Sequence, residues 1–331
     1  MTDVKNRSEL VFLYDINDAN PNGDPLDENK PRIDEETGIN IVTDVRLKRT
    51  IRDYLKDFKG YDGKSDMNKD IFIREIADEQ GYIQDGKTRA INFKENPEEV
   101  LKKCIDVRLF GAVIPLQKKA EKKKEEDPEK EGKEERKERS ITYTGPVQFK
   151  MGRSLHRVTM NHIKGTGAFA SNYKKGDPKQ CSTQTTFREE DILPYSLIRF
   201  YGIINENAAK HTKLTEEDVN LLLEGMWNGT KNLISRSKAG QMPRLLLKVN
   251  YTENNYHIGD LDKLIEIKDI EKIEQEKIRD ISEITLDASK LIKTLNKHKD
   301  KIKSIDLKTD NRVTIDLTAL DNGIQINEIL V

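Results

Sequence analysis

What this 331-residue chain lacks sets its first limits. No stretch approaches the ~18 consecutive apolar residues of a membrane helix, so no membrane partner is expected. The N-terminus has no charged-then-apolar signal pattern, and the chain is expected to stay in the cytoplasm. Only two cysteines occur, Cys104 and Cys181, and neither has a neighbouring cysteine or a metal-spaced histidine. That argues against a disulfide framework and a zinc centre, and no cofactor is expected. Net charge is also missing: the balance is only −1, so the chain as a whole exerts no pull on a polyanion. No internal repeat is evident, which removes solenoid architectures.

Charge itself is abundant. Charged residues make up 35% of the chain, against about a quarter in ordinary domains, and they are segregated. Between Ile141 and Arg188 there are eight Lys or Arg and one acidic residue, Asp177; between Gly225 and Thr252 there are five and none. The part after Tyr251 leans acidic. Basic stretches in a neutral chain suit a protein that holds a polyanion on one surface and protein neighbours on others. The length fits one large domain with insertions, or two domains.

The sharpest feature is Ser235 to Gln241, Ser-Arg-Ser-Lys-Ala-Gly-Gln, between an amphipathic helical pattern and a continuous apolar strand. Small residues and two cations on such a turn offer N–H groups, hydroxyls and positive charge to a phosphate. Earlier in the chain, Ser8 to Ile16 reads as a buried strand. The polar loop that follows approaches a calcium-loop pattern at Asp18, Asn20, Asn22 and Gly23. It fails at position twelve, where Asn29 replaces the bidentate Glu. Thr43 to Phe58 reads as a helix with Leu47, Ile51, Tyr54, Leu55 and Phe58 on one stripe, and with Arg46, Lys48, Arg49, Arg52 and Lys56 off it. Cations near a helix start oppose its dipole, and an anionic ligand would explain them.

A short helix is expected after Pro97, and Asp106 to Ala112 reads as a strand. Leu116 to Ser140 is a Lys/Glu polyampholyte that cannot bury apolar surface, expected to be a mobile loop or solvated excursion. Gly145 to Met151 alternates, with Gln148 and Lys150 on its polar face. Gly152 to Arg188 shows little periodicity. It interleaves cations with the aromatics Phe169, Tyr173 and Phe187, a combination that suits single-stranded nucleic acid. Tyr195 to Gly202 is strand-like, and Thr215 opens a helix with a capping-box pattern. Arg244 to Tyr251 reads as a strand, with charged helical patterns expected at Ile270 to Ile284 and Ala288 to Ile302 and a last strand at Arg312 to Leu317.

The main elements spell β-α-β-β-α-β: strands near 8–16, 106–112, 145–151 and 244–251, helices near 43–58 and 215–233. The expected class is therefore α+β with a ferredoxin-like core, the scaffold on which RRM domains present RNA. Segments 59–105, 113–144 and 152–214 would project from it as insertions.

Five stretches together resemble the CRISPR-associated protein seven family of the RAMP superfamily, the backbone subunits of type I Cascade, and most closely subtype I-B. They are Asp15 to Pro25, Thr43 to Leu55 (TDVRLKRTIRDYL), Asp106 to Ala112 (DVRLFGA), Thr144 to Ser154 (TGPVQFKMGRS) and Ser235 to Leu247 (SRSKAGQMPRLLL). The resemblance implies a hand-shaped, non-catalytic subunit whose copies stack along a CRISPR guide RNA. Each copy would kink the RNA so that its bases pair with target DNA beside other Cascade subunits. It also implies an RRM-like palm (1–58, 106–151 and 191–252), fingers with a charged insertion (59–105 and 113–144), a thumb (152–190) and a C-terminal extension (253–331).

Carried onto this chain, Lys48, Arg49 and Arg52 would grip the guide backbone. Asn20, Asn22, Arg153, Arg236, Ser237 and Lys238 would complete the palm contacts. Arg46, Lys150 and Ser235 beside them, and His156, Arg157, Lys164 and Phe169 in the thumb region, complete the candidate RNA-binding set. Two other readings stay open. A RAMP-type endoribonuclease would use Asp15, Asp18 or Asp24 with His156 or His162, and a monomeric RRM-type protein would bind RNA without polymerising.

Overall fold

The computed structural model describes residues 2–116, 139–170 and 185–331. The expectations for the charged segment Leu116 to Ser140, for Tyr173 and for the side chains of Phe169 and Phe187 lie wholly or largely outside the described residues.

Ser8–Ala19 (β1) is buried without a break from Ser8 to Ile16, as an apolar run with no polar alternation requires of a strand covered on both faces. Around it run β2 (Ile33–Asp34), β3 (Ile39–Val42), α1 (Asp44–Lys59), α2 (Ile105–Phe110), β4 (Val147–Phe149), β5 (Gly152–Arg157), β6 (Asn161–Ala170), β7 (Thr185–Ile204), α3 (Glu216–Lys231), β8 (Met242–Tyr251), α4 (Ser289–Lys297), β9 (Ile302–Thr309) and β10 (Ile326–Glu328). The ten strands form one sheet in the order β10-β9-β8-β1-β7-β5-β3-β2, with β4 and β6 also pairing β7. All pairs are antiparallel except β9 with β10, so the chain is an α+β protein built on a large mixed sheet.

Side-chain alternation along β1 separates two cores. Leu10, Phe12, Tyr14 and Ile16 face α1 and α3, where they meet Leu47, Ile51 and Leu55 and then Val219, Leu222 and Met226. The two helices approach closely because glycines face them. A Cβ at Gly225 would lie 2.9 Å from Ile51, and one at Gly229 3.0 Å from Tyr54. Val11 and Leu13 face the other way, into a second core with Leu245, Leu247, Leu261, Ile265, Ile281 and Leu291. The C-terminal part thus lies across the sheet face opposite the helices, and that face is closed to nucleic acid.

A third small core, with Phe72, Phe93, Val100, Leu101 and Val107, organises the region between α1 and the hairpin Gly111–Leu116 with Arg139–Thr144. Two buried ion pairs tie it to the helical layer. Arg52 meets Asp106 at 3.1 Å, and Arg108 meets both Asp218 oxygens at 2.8 Å.

Three expected elements are corrected. Asp106 to Phe110 is helix, and only from Gly111 does the chain extend. Five of the six residues in α2 are buried, so the run carries no period from which helix and strand can be told apart. Gly152 to Arg188, read as aperiodic, contains β5, β6 and the start of β7. Ile270 to Ile284 is not a helix but three separate 3₁₀ turns, whose isoleucines drop singly onto the sheet. Pro97–Lys103 is a helix as expected, and Thr215 forms the full capping box with Asp218.

Candidate nucleic-acid interface

Three of the stretches singled out in the sequence meet at one end of the sheet. Thr43 caps α1 by accepting from the Arg46 N–H, and its own N–H and Oγ1 both donate to Asn22 Oδ1 at 2.8 Å. The Asn20 N–H donates to the Ser237 carbonyl at 2.8 Å, and Asn20 Nδ2 donates to the Asn29 carbonyl at 2.7 Å. Lys238 Nζ closes the set by donating to the Asn20 carbonyl at 2.9 Å. The turn itself is held by the Ser235 carbonyl, which accepts from the N–H groups of Lys238 and Ala239. The loop that resembles a calcium site therefore turns its amides inward, and Asp24 holds Arg32 at 2.6 Å.

The electrostatics of this corner are one-sided. Lys238 is half-buried and has no carboxylate partner among the described residues; burial first, and then the charge of Arg46, pushes its ammonium down to about 8. Arg46 is held below its ordinary value by burial, with Asp53 at 4.0 Å its nearest carboxylate. Its Nη2 donates to Thr50 Oγ1 at 3.1 Å, but its buried Nε has no partner, nor has Gln241 Nε2 or Asn20 Oδ1. Each buried polar atom left unmade costs about 1–3 kcal/mol, and the positive end of the α1 dipole adds to the charge. An anion seated here would satisfy donors that nothing in the described protein satisfies.

Next to this corner a cleft of about 660 Å³ runs between α1 and the region of the third core. Arg46 and Arg49 line one wall, and the exposed apolar residues Val45, Ile73, Ile83 and Val113 the rim.

Comparison with known proteins bears on what this surface serves. A family model described as CRISPR-associated protein Cas7 matches residues 6–289. The CRISPR-associated protein Cas7 of Haloferax volcanii is 34% identical over 316 residues, which cover 94% of this chain and 89% of that protein. The chain belongs to the Cas7 family. Among solved structures, a chain of a "CRISPR RNA-guided surveillance complex, pre-nicking" has a similar fold at a TM-score of 0.51 and 15% identity, covering 97% of this chain and 96% of its own. A chain of another CRISPR RNA-guided surveillance complex aligns over 97% and 94% at 13% identity with a TM-score of 0.49. The family match ends at Ser289, so β9 and β10 of the sheet lie beyond it.

The other candidate residues divide into two groups. Most are exposed and already hold a carboxylate. Lys48 pairs with Asp44 at 2.9 Å, Arg49 with Asp53 at 2.8 Å, Arg153 with Asp34 at 3.6 Å, Arg157 with Glu276 at 2.8 Å and Arg236 with Glu190 at 2.8 Å. Lys164 pairs with Glu189, and Lys150 lies over the Tyr201 ring and pairs with Asp260.

Two candidates are corrected by burial. Arg52 lies off the apolar stripe yet is buried, because its guanidinium lies over the Phe110 ring and reaches Asp106. His156 is 1% exposed, with Nδ1 donating to the Arg157 carbonyl, Nε2 accepting from the Leu197 N–H and the ring stacked on Tyr195. Burial holds it below its ordinary value, so it is a neutral core residue.

Of the residues weighed for catalysis, Asp18 is exposed, whereas Asp15 and Asp24 hold cations and His162 a carboxylate. Asp15 is buried between Arg244 at 2.8 Å and the Tyr195 hydroxyl at 3.1 Å, and burial raises its carboxyl. His162 pairs with Asp191 across the ribbon. Sequence reasoning missed Gln241 and the apolar rim of the cleft. Gln241 closes the singled-out stretch and carried its signal by position alone; nothing marks Ile73 or Ile83. Among the described residues, no helix is long and apolar enough to cross a membrane.

Proposed function

We propose that this chain is a non-catalytic, guide-RNA-binding backbone subunit of a type I Cascade complex, subtype I-B, with several copies stacked along one guide. The carrying observation is the corner where Lys238, with no carboxylate partner among the described residues, lies beside Arg46, and where two buried donors, Arg46 Nε and Gln241 Nε2, have no partner. Phosphate contacts of this kind position a strand without reading it, and sequence is left to guide–target pairing. Target DNA, the remaining Cascade subunits and further copies of the chain are then its partners.

The palm of the proposed hand is ferredoxin-like. β1, α1, β4 with β5, β7, α3 and β8 follow in the order β-α-β-β-α-β, and the central strands run β8-β1-β7-β5. One departure from the RRM plan has a functional consequence. The sheet face that RRM domains offer to RNA is covered here by residues 261–295. The guide therefore runs over the sheet end at α1 and the 235–241 turn. In this reading the third core with its hairpin forms the fingers, β5 with the β6–β7 ribbon the thumb, and residues 253–331 the cover of the palm. Lys48, Arg49, Arg153 and Arg236, and Lys150, Arg157 and Lys164 further along the chain's surface, add phosphate contacts along the guide.

The test is stoichiometry. With single-stranded RNAs of increasing length, native mass spectrometry should show the number of bound copies rising in proportion. One protein per RNA at every length would favour a monomeric RNA binder and remove the backbone assignment. A pH titration tests the corner itself. Lys238 loses its proton near 8, so RNA affinity should fall as pH rises from about 7 to 9. Lys238→Arg stays charged over that range and should flatten the profile; an equal pH dependence in the variant would place the titrating group elsewhere.

A further inference from the structure

The exposed cations of the site are occupied in the free chain, and one of their partners stands apart. Immediately after the basic stretch ending at Arg188 come three carboxylates, Glu189, Glu190 and Asp191. Glu189 holds Lys164 at 3.1 Å and Asp191 holds the His162 ring at 2.9 Å, both across the β6–β7 ribbon. Glu190 alone of the three reaches out of the ribbon. One of its oxygens lies 2.6 Å from Arg188, and the other lies 2.8 Å from Arg236 on the 235–241 turn. Arg236 is 65% exposed, so its guanidinium is open to solution on the side away from Glu190.

We propose that Glu190 is a built-in competitor of phosphate: its carboxylate holds Arg236 where a guide phosphate would bind, and RNA binding exchanges the one for the other, unfastening the ribbon from the turn. The inference rests on the RNA-binding reading above. The chemistry of the exchange is symmetrical, because a guanidinium offers the same fork of N–H donors to carboxylate and to phosphate. It is also low in cost, since an exposed pair of this kind is weak enough that losing it changes an affinity by no more than about fivefold. Charge is conserved at Arg236 throughout. A phosphate arriving there displaces a tethered anion rather than free counterions, so this contact adds less to the salt dependence than an unpaired arginine would.

The experiment compares the full-length chain with E190Q and E266Q, using a fluorescently labelled single-stranded RNA and anisotropy at several salt concentrations. The Glu190→Gln change keeps an oxygen for Arg236 but removes the competing charge. E190Q is expected to bind about twofold to fivefold more tightly at low salt, with a slope of log K against log salt steeper by up to about 0.7. E266Q, which removes a carboxylate of the same charge from Lys290, outside the candidate site, should match the wild type. Equal or weaker binding by E190Q, with circular dichroism unchanged, would overturn the exchange and leave Glu190 as a buttress of the turn. Wild-type chain that binds no RNA at any salt would overturn the RNA reading and the exchange together, whereas an indifferent E190Q in an RNA-binding wild type removes the exchange alone.

Discussion

Replacing Arg52 by Ala is expected to lower stability by roughly 3–5 kcal/mol, the usual result of breaking one side of a buried ion pair. Asp106 has no exposure, and its oxygens accept from Arg52 Nε at 3.1 Å and from the N–H groups of Phe72 at 2.7 Å and Ile73 at 3.0 Å. Without the guanidinium, the carboxylate keeps two amide donors and no cation. The Phe110 ring also loses the guanidinium that lies over it. The third core is then detached from α1, because this node joins α1, α2 and the 72–73 backbone at one point. Urea denaturation followed by circular dichroism reads the loss. Arg49→Ala is the control: its side chain is 48% exposed and its partner Asp53 stays hydrated, so its midpoint should hardly move. An R52A chain that melts with the wild type but binds RNA poorly would return Arg52 to the RNA surface.

That expectation separates what the sequence could disclose from what it could not. β1 and α1 were legible because each carries one simple pattern, an unbroken apolar run in one and a helical stripe in the other. The stripe picks out Leu47, Ile51, Tyr54 and Leu55 as core, although its last member, Phe58, is 59% exposed; it does not tell which polar neighbours at its margin are drawn in by a distant carboxylate. Arg52 was drawn in by Asp106, 54 positions away, and no local signal announces it. His156 fails for the same reason, since its two ring partners are a neighbouring carbonyl and an amide on β7.

The part of the ribbon from β5 to the start of β7 was illegible because it carries no apolar contrast: β5 alternates, but the residues it buries are Gly152, Ser154 and His156, and Asn161 to Thr166 of β6 are all exposed. The cover over the second sheet face was hidden by its own charge. Ile278, Ile281 and Ile284 are buried singly among charged and polar neighbours, on turns too short to impose a helical period. The candidate site was legible in its parts: Asn20, Asn22, the start of α1 and the 235–241 turn all stood out. Their meeting is a product of the strand order, which places the end of β1 between the start of α1 and the turn that enters β8.

The double variant Arg46→Ala, Lys238→Ala is expected to reduce affinity for single-stranded RNA by at least roughly 100-fold at low salt. Charge-assisted hydrogen bonds contribute about 1.5–3 kcal/mol each, and two are removed. The slope of log K against log salt should flatten by about 1.4, two contacts at about 0.7 each on a single strand. The loss should be alike for all RNA sequences, because phosphates carry no base information. Folding should survive, for a reason opposite to that at Arg52. Lys238 gives up one hydrogen bond to the Asn20 carbonyl, and Arg46 gives up one to Thr50 and its 4.0 Å approach to Asp53, which keeps Arg49 at 2.8 Å, so neither leaves a carboxylate stranded. Removing two half-buried, mutually repelling cations relieves the native state of a charge cost, so the denaturation midpoint should stay or rise. Arg236→Ala should lose less affinity than either single change at the corner, since Arg236 must first surrender Glu190. A folded double variant with unaltered affinity and slope would show that the corner meets no phosphate, and a loss confined to some sequences would mean that it reads bases, which a backbone subunit served by guide pairing has no need to do.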